Sequence, residues 1–206
     1  MQILAKDDSL TEDSQRWVRS TAEESAHMKN LVEELLELAR TDESNTGTQG
    51  VMQKVNVDFS EMVESSALEF DAVAFERGCL IEEDVAKGIH VHGDPEWLGR
   101  LAKILIENAC KYSESGSTIR VTLSREGRHC AYSVNNHGQV IGPEDLQHVF
   151  DRFYRTDKAR SRDGQTGGFG LGLAIAKGIA TSHGGDITAT STAEEGTTFR
   201  VVLPCE

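Results

Sequence analysis

The sequence contains no run approaching the roughly 18 consecutive apolar residues that a membrane-spanning helix needs. No charged-then-apolar leader resembles a secretion signal. Cysteine is sparse: Cys79, Cys110, Cys130 and Cys205 lie far apart, and no C-x-x-C pair occurs. That spacing argues against a zinc site or a disulfide framework and fits a reduced cytosol. Basic residues are outnumbered, giving a net charge of −13, which argues against non-specific nucleic-acid binding. The chain is long enough, at 206 residues, for one ordinary domain plus a smaller element. Its 38 % hydrophobic content supplies a core, and its 27 % charged content suits a soluble protein.

One region departs from the acidic balance. Between Phe150 and Arg162 lie Arg152, Arg155, Lys158, Arg160 and Arg162, against only Asp151 and Asp157. Such a patch suits an anion, although a solvated loop or helix face would read the same way.

Thr11 to Thr41 reads as one long helix. Val18, Ala22, Met28, Leu31, Val32, Leu35, Leu38 and Ala39 recur at mixed three-four spacing, with no Gly or Pro between them. Ser9 and Glu12 have the spacing of a capping box. The stripe is too apolar to stand alone in water, so it predicts a partner helix. Too few residues precede it for a full antiparallel mate, so we expect either a truncated form or pairing with a second chain. Residues 41–50, "TDESNTGTQG", read as a linker.

After the linker the pattern alternates. "KVNVDF", "CLIEEDV" and "GIHVHG" are strand candidates. Helices are predicted over Ser60–Glu76, Trp97–Tyr112, Glu144–Phe150 and Leu171–Ser182. Two hairpins are predicted, one turning at Glu126-Gly127 and one closing the chain. The order is α+β, with helices on one face of a largely antiparallel sheet.

Three segments carry chemistry. In "GQTGGFGLGLAIAK", Gly164, Gly167, Gly168, Gly170 and Gly172 crowd before a helix. Glycines let backbone approach an anion, and a helix N-terminus offers free N–H groups and a favourable dipole. No G-K-[ST] closes the segment, so it is not a P-loop. In "LIENACKYS", Asn108 and Lys111 share a helix face. An Asn oxygen suits magnesium that keeps phosphate and water ligands, and a Lys neutralises phosphate. An ordinary polar helix face would look the same. In "VFDRFYRTDKARS", Phe150, Phe153 and Tyr154 can anchor a lid whose arginines reach phosphates; a surface helix is the plainer alternative.

The order of these segments is more specific than any one of them. An Asn helix, a hairpin ending in an N/D-x-G turn, an aromatic-basic lid, a glycine-rich helix start, H-G-G, G-T-x-F and a final L-P follow one another. From about residue 54 to 206 the chain resembles the ATP-binding catalytic domain of bacterial two-component sensor histidine kinases, in the superfamily of gyrase, Hsp90 and MutL. "FDRFYR" and "GGFGLGLAIAKGIATSHGGDI" carry the histidine-kinase branch. "HMKNLVEELLELARTDE" looks like the second helix of that family's dimerisation and phosphotransfer domain.

The resemblance implies a two-layer α/β sandwich, with a mixed sheet covered by helices and one long dimerisation helix before it. It implies three parts: residues 1–45 as a partial dimerisation domain, 46–53 as a linker and 54–206 as the catalytic domain. It implies ATP and Mg2+, with Asn108 as the metal ligand and Lys111 and Tyr112 in the same box. Gly168, Gly170, Leu171 and Gly172 would surround the triphosphate, Arg155 would approach the phosphates, and Thr197 would lie near the adenine end. The implied reaction moves the γ-phosphoryl group to a histidine, for relay to a response regulator. The implied assembly is a homodimer through the 11–41 helix, on the cytoplasmic side of a membrane-bound sensor. The membrane would be reached only through segments absent here.

Departures bear on activity. The family's acceptor His is followed by an acid and later a proline, and Pro95, Pro143 and Pro204 complete no such motif. His27 sits in a second-helix context, so the acceptor is expected to lie outside this sequence. In the family's adenine-reading box D-x-G-x-G, the register puts Asn136 at the Asp, Gly138 at the first Gly and Val140 at the second. Ile104 stands four before Asn108, where the family usually has Asn and the ATPase relatives a Glu. A neutral acceptor at 136 predicts a loss of about 1–2 kcal/mol, on the order of 5- to 30-fold in affinity. Val140 is expected to be strained if that position needs positive φ. These departures keep two rivals open: a degenerate, regulatory module of the same fold, and an ATPase of the superfamily, which Ile104 and the lid disfavour.

Overall fold

The computed structural model describes residues 11–45, 53–156 and 168–206. In chain order the described elements are α1 (Glu12–Asn45), β1 (Val55–Asp58), α2 (Phe59–Glu76), β2 (Leu80–Val85), β3 (His90–Gly93) and α3 (Pro95–Tyr112). They continue as β4 (Thr118–Glu126), β5 (His129–Asn136), α4 (Pro143–Leu146), α5 (Gly172–Ser182), β6 (Asp186–Thr192) and β7 (Gly196–Pro204). The main sheet runs β2-β4-β5-β7-β6, and a β1–β3 ribbon stands apart from it. β2 pairs parallel with β4, and the other pairs in the sheet are antiparallel. The sheet is therefore mixed, as expected.

Alternation along the strands decides which face is covered. Ile119, Val121 and Leu123 of β4, Tyr132 and Val134 of β5, and Phe199, Val201 and Leu203 of β7 are buried. They pack under α2, α3 and α5 in one core. Tyr132 is fully buried, and its hydroxyl donates to the Ala102 carbonyl oxygen of α3 at 2.9 Å. That bond removes the cost of an unpaired buried hydroxyl and ties sheet to helix. Local chemistry starts the helices. Asp58 caps α2 by accepting from the Glu61 N–H at 3.0 Å. Asp94 caps α3 by accepting from the Glu96 and Trp97 N–H groups, and Pro95 opens that helix. The first predicted hairpin turns at Gly127, whose φ of 66° is the left-handed conformation glycine tolerates.

Some boundaries differ from expectation. Helix α1 continues to Asn45, because nothing before Gly47 breaks it. Ser9 lies outside the described residues; Thr11 stands at the helix start and its hydroxyl accepts from the Ser14 N–H at 3.3 Å. The helix expected over Glu144–Phe150 stops at Leu146. Beyond it the His148 N–H bonds the Asp145 carbonyl and the Asp151 N–H bonds the His148 carbonyl. These three-residue steps make successive tight turns instead of an α-helix.

Helix α1 carries two apolar stripes. Leu38 and Thr41 are buried and Leu31 is partly buried against the catalytic body. Gly178 of α5 makes room there: a Cβ added to it would lie 2.7 Å from Thr41 Oγ1. Arg100 of α3 bonds Glu37 at 3.0 Å, and Arg152 bonds Asp42 at 2.7 Å. The second stripe, Met28, Val32, Leu35 and Leu36 with Trp17 above it, stays exposed. The body of the protein thus partners one stripe only. No described helix is long and apolar enough to cross a membrane. Burial pushes the Cys110 thiol up to about 11 and the Cys130 thiol up to about 12, so neither is a ready thiolate.

Candidate functional site

A cleft of about 240 Å3 opens between α3, the β5–α4 connection, the root of the lid and the start of α5. Nine of the residues singled out in the sequence line it: Asn108, Lys111, Tyr112, Asn136, Arg155, Gly168, Gly170, Gly172 and Thr197. Ile104 and Val140 line it too. Gly138 and Leu171 do not. Gly138 works behind the wall, where an added Cβ would fall 2.1 Å from the Tyr112 carbonyl oxygen. Its lack of a side chain lets the loop touch the end of α3, where Ser113 and Gly138 form a bridge. Leu171 is fully buried and precedes the first turn of α5. Gly164, Gly167, Lys158, Arg160 and Arg162 lie outside the described residues.

One end of the cleft is built for negative charge. Asn108 and Lys111 project from the last turns of α3. Helix α5 starts at Gly172 with no side chain capping its first N–H groups. Those groups and the helix dipole favour an anion. Gly168 approaches Lys111: a Cβ there would sit 3.8 Å from Nζ. Gly170 adopts φ 75°, and its carbonyl accepts from the Phe153 N–H at 3.0 Å. A Cβ at 170 would meet the Tyr154 carbonyl at 2.6 Å, so glycine segment and lid root are fitted backbone to backbone. Phe153, at φ 62°, is the one non-glycine with positive φ among the described residues. Tyr154 donates its hydroxyl to Asp145 Oδ1 at 2.5 Å.

The other end is mostly uncharged. Asn136 closes β5 opposite Thr197 of β7 and is only 4 % exposed. The Thr197 hydroxyl pairs with that of Ser191 at 2.8 Å. Gly196 keeps this corner tight, since a Cβ there would lie 2.4 Å from the Asn136 carbonyl oxygen. Val140 is 42 % exposed and does not have positive φ. The strain expected at Val140 is therefore absent, because the loop takes a path open to any residue. Gln139, Ile141 and Phe199 complete the wall.

Sequence reasoning missed Glu34 and Arg100. Both line the cleft, although Glu34 comes from α1. Burial raises the Glu34 carboxyl above its usual range; Arg100 opposes that rise, and Glu107 and Glu37 add to it. His27 of α1 stacks on Phe169 of the glycine segment, with ring centroids 4.2 Å apart. Helical spacing predicted that α1 needs a partner, but not which rings and charges would meet it.

His183 of the H-G-G stretch serves structure. Its Nδ1 faces the Ile179 carbonyl at 2.8 Å and must donate to it. Its Nε2 then accepts from the Asp94 N–H at 3.1 Å. Burial lowers its pKa, which suits this neutral tautomer.

No group of three or more His, Cys, Asp or Glu among the described residues could hold a metal by itself. A hard cation would need oxygen from its ligand as well as from the protein. The uncharged amide oxygen of Asn108 fits that division of labour.

Residues 93–206 match the family described as histidine kinase-, DNA gyrase B-, and HSP90-like ATPase, and the chain belongs to that family. It is similar to the sensor-like histidine kinase SenX3 of Mycobacterium tuberculosis, with 34 % identity over 208 residues, 99 % of this chain and 49 % of that protein. It is similar to the sensor histidine kinase CusS of Escherichia coli, with 36 % identity over 185 residues, 90 % of this chain and 37 % of that protein. The chain thus spans about half or less of these curated relatives. Among solved structures it resembles the mycobacterial sensor histidine kinase MprB, with 30 % identity and a TM-score of 0.63 over 74 % of this chain and 98 % of that one. The domain is a histidine-kinase ATP-binding catalytic domain in sequence and in fold.

Proposed function

We propose that this chain is the Mg-ATP-binding catalytic region of a two-component sensor histidine kinase. It presents the γ-phosphoryl group of ATP to a histidine outside this sequence, for relay to a response regulator. The observation that carries the reading is one cleft shared by Asn108 and Lys111 of α3, the glycine segment before α5, and the Asn136–Thr197 corner of the sheet. Those parts come from distant stretches of chain and suit the two ends of a nucleotide. Magnesium would be held by Asn108 Oδ1 together with phosphate oxygens, and would supply charge neutralisation. Lys111 and Arg155 approach the phosphates, and the α5 N–H groups orient them. Catalysis of this kind is mostly positioning and charge stabilisation. Ile104 is buried and apolar, so it activates no water, which favours transfer over hydrolysis.

In the same reading residues 1–45 belong to a dimerisation domain, 46–53 to a linker and 54–206 to the catalytic domain. The exposed stripe of α1 takes the matching helices of a homodimer. The region sits on the cytoplasmic side of a membrane-bound sensor. Titration calorimetry with Mg-ATP tests the proposal. We expect saturable binding that requires Mg2+ and falls at least tenfold in Asn108→Ala. Absence of binding by the parent chain would overturn it.

A further inference from the structure

Asn136 and Asn135 are neighbours with opposite fates. Asn135 Nδ2 donates to the Glu195 carbonyl at 2.8 Å and Thr198 Oγ1 at 2.9 Å. Its amide is locked in one orientation. Among the described residues the Asn136 amide has no hydrogen-bond partner, although the residue is 4 % exposed and lines the cleft. The side chain lines the cleft, where a ligand can supply its partners. No described residue bonds it and so fixes which way it points. Asn carries both an acceptor oxygen and a two-hydrogen donor, and a half-turn about its last bond exchanges them.

That freedom has a consequence for the base. A 6-aminopurine offers a donor at position 6 and an acceptor at N1. An amide meets both, with oxygen to the amine and nitrogen to N1. A 6-oxopurine offers the reverse pair, an acceptor at position 6 and a donor at N1. The same amide, turned over, meets that pair too. A carboxylate at 136 accepts from a 6-amine but repels a 6-oxo group held at the same place, so it discriminates where the amide does not. Of the described residues on this wall, Gln139 is also an amide, and the Asp145 carboxylate is already engaged by Tyr154.

We infer that Asn136 is a specificity-determining residue that admits 6-oxopurine as well as 6-aminopurine nucleoside triphosphates to the cleft. The inference rests on the nucleotide-binding reading above. Calorimetry on the intact chain with Mg-ATP and with the magnesium complex of inosine triphosphate tests it. We expect the two affinities to lie within about tenfold of each other, because either base satisfies the amide. In Asn136→Asp we expect the preference for ATP over inosine triphosphate to widen by more than about tenfold, the range set by losing one buried hydrogen bond. Binding of ATP with inosine triphosphate more than tenfold weaker in the parent overturns this inference alone. An unchanged preference in Asn136→Asp also overturns it. Binding of neither nucleotide by the parent overturns it together with the proposed function.

Discussion

The two ends of the cleft follow different rules. At the α5 end, backbone and fixed charge dominate: glycines, a helix start, Asn108 and Lys111. At the β5 end, neutral amides, a hydroxyl and apolar side chains dominate, and Asn136 and Val140 depart from the family's pattern. An anion needs many N–H groups close at hand, so the first end tolerates little change of backbone. A flat base needs enclosure and a few directed bonds, so the second end accepts substitutions that keep shape. Two of the three departures sit at the end where chemistry can adjust, and the third, Ile104, is a side-chain change on α3 that leaves the glycine backbone beside it intact.

The largest expected effect breaks the glycine geometry. In Gly170→Ala the new Cβ meets backbone at 2.6 Å and the residue must keep φ 75°. Among the described residues Gly168→Ala meets only the flexible end of Lys111 at 3.8 Å. We expect Gly170→Ala to lose about 3 kcal/mol or more in urea unfolding, and Gly168→Ala less than about 1 kcal/mol. Equal losses would erase the distinction between the two glycines.

Next comes the charge of the proposed phosphate end. Lys111→Ala is expected to weaken Mg-ATP binding by roughly tenfold or more while stability changes by less than about 1 kcal/mol. Val140→Gly, at the other end, is expected to change affinity by less than about twofold, because no positive φ is relieved. A tenfold gain in Val140→Gly, read by the same calorimetry, would show that the base end is strained after all.

A smaller effect concerns α1. Gly178→Ala drives a methyl towards Thr41 Oγ1, which lies 2.7 Å from the Cβ position. We expect faster amide hydrogen exchange in α1 and a stability loss of about 1 kcal/mol. Unchanged exchange over residues 27–42 would mean the helix does not depend on that seat.

The smallest effect is pH-dependent. The His183 pKa is lowered in the fold by burial, from an unfolded value of about 6.5. The unfolded chain therefore binds a proton more readily, and stability rises with pH across that window. The His183 contribution is complete above about 6.5 and is lost as pH falls from there through the folded value. Urea titrations of the parent and His183→Gln should converge on acidification. Parallel curves from pH 8 to 5.5 would refute the assignment.

The glycine-rich end was legible because its glycines lie together in sequence and run into an apolar helix pattern. The fold order was legible because hairpin and helix periods alternate cleanly. What stayed hidden depends on packing. Glu34 and Arg100 reach the cleft only because α1 seats on α3 and α5. Gly138 answers to a carbonyl 2.1 Å from its missing Cβ, a constraint no turn rule contains. Val140 looked strained because its position suggested a conformation that the loop does not adopt.

The pairing of Asn136 with Thr197 also fixes an order in time. The two residues are about sixty positions apart, and their strands meet only once β7 has joined β5. Closing so long a loop is entropically slow compared with forming α3 or α5. The α3 and glycine-segment half is no more local, since Lys111 and Gly168 lie almost as far apart in sequence, so both halves of the cleft wait for long-range packing. Nucleotide cannot template the early collapse of this domain. It can hold β7 in place once the sheet is complete.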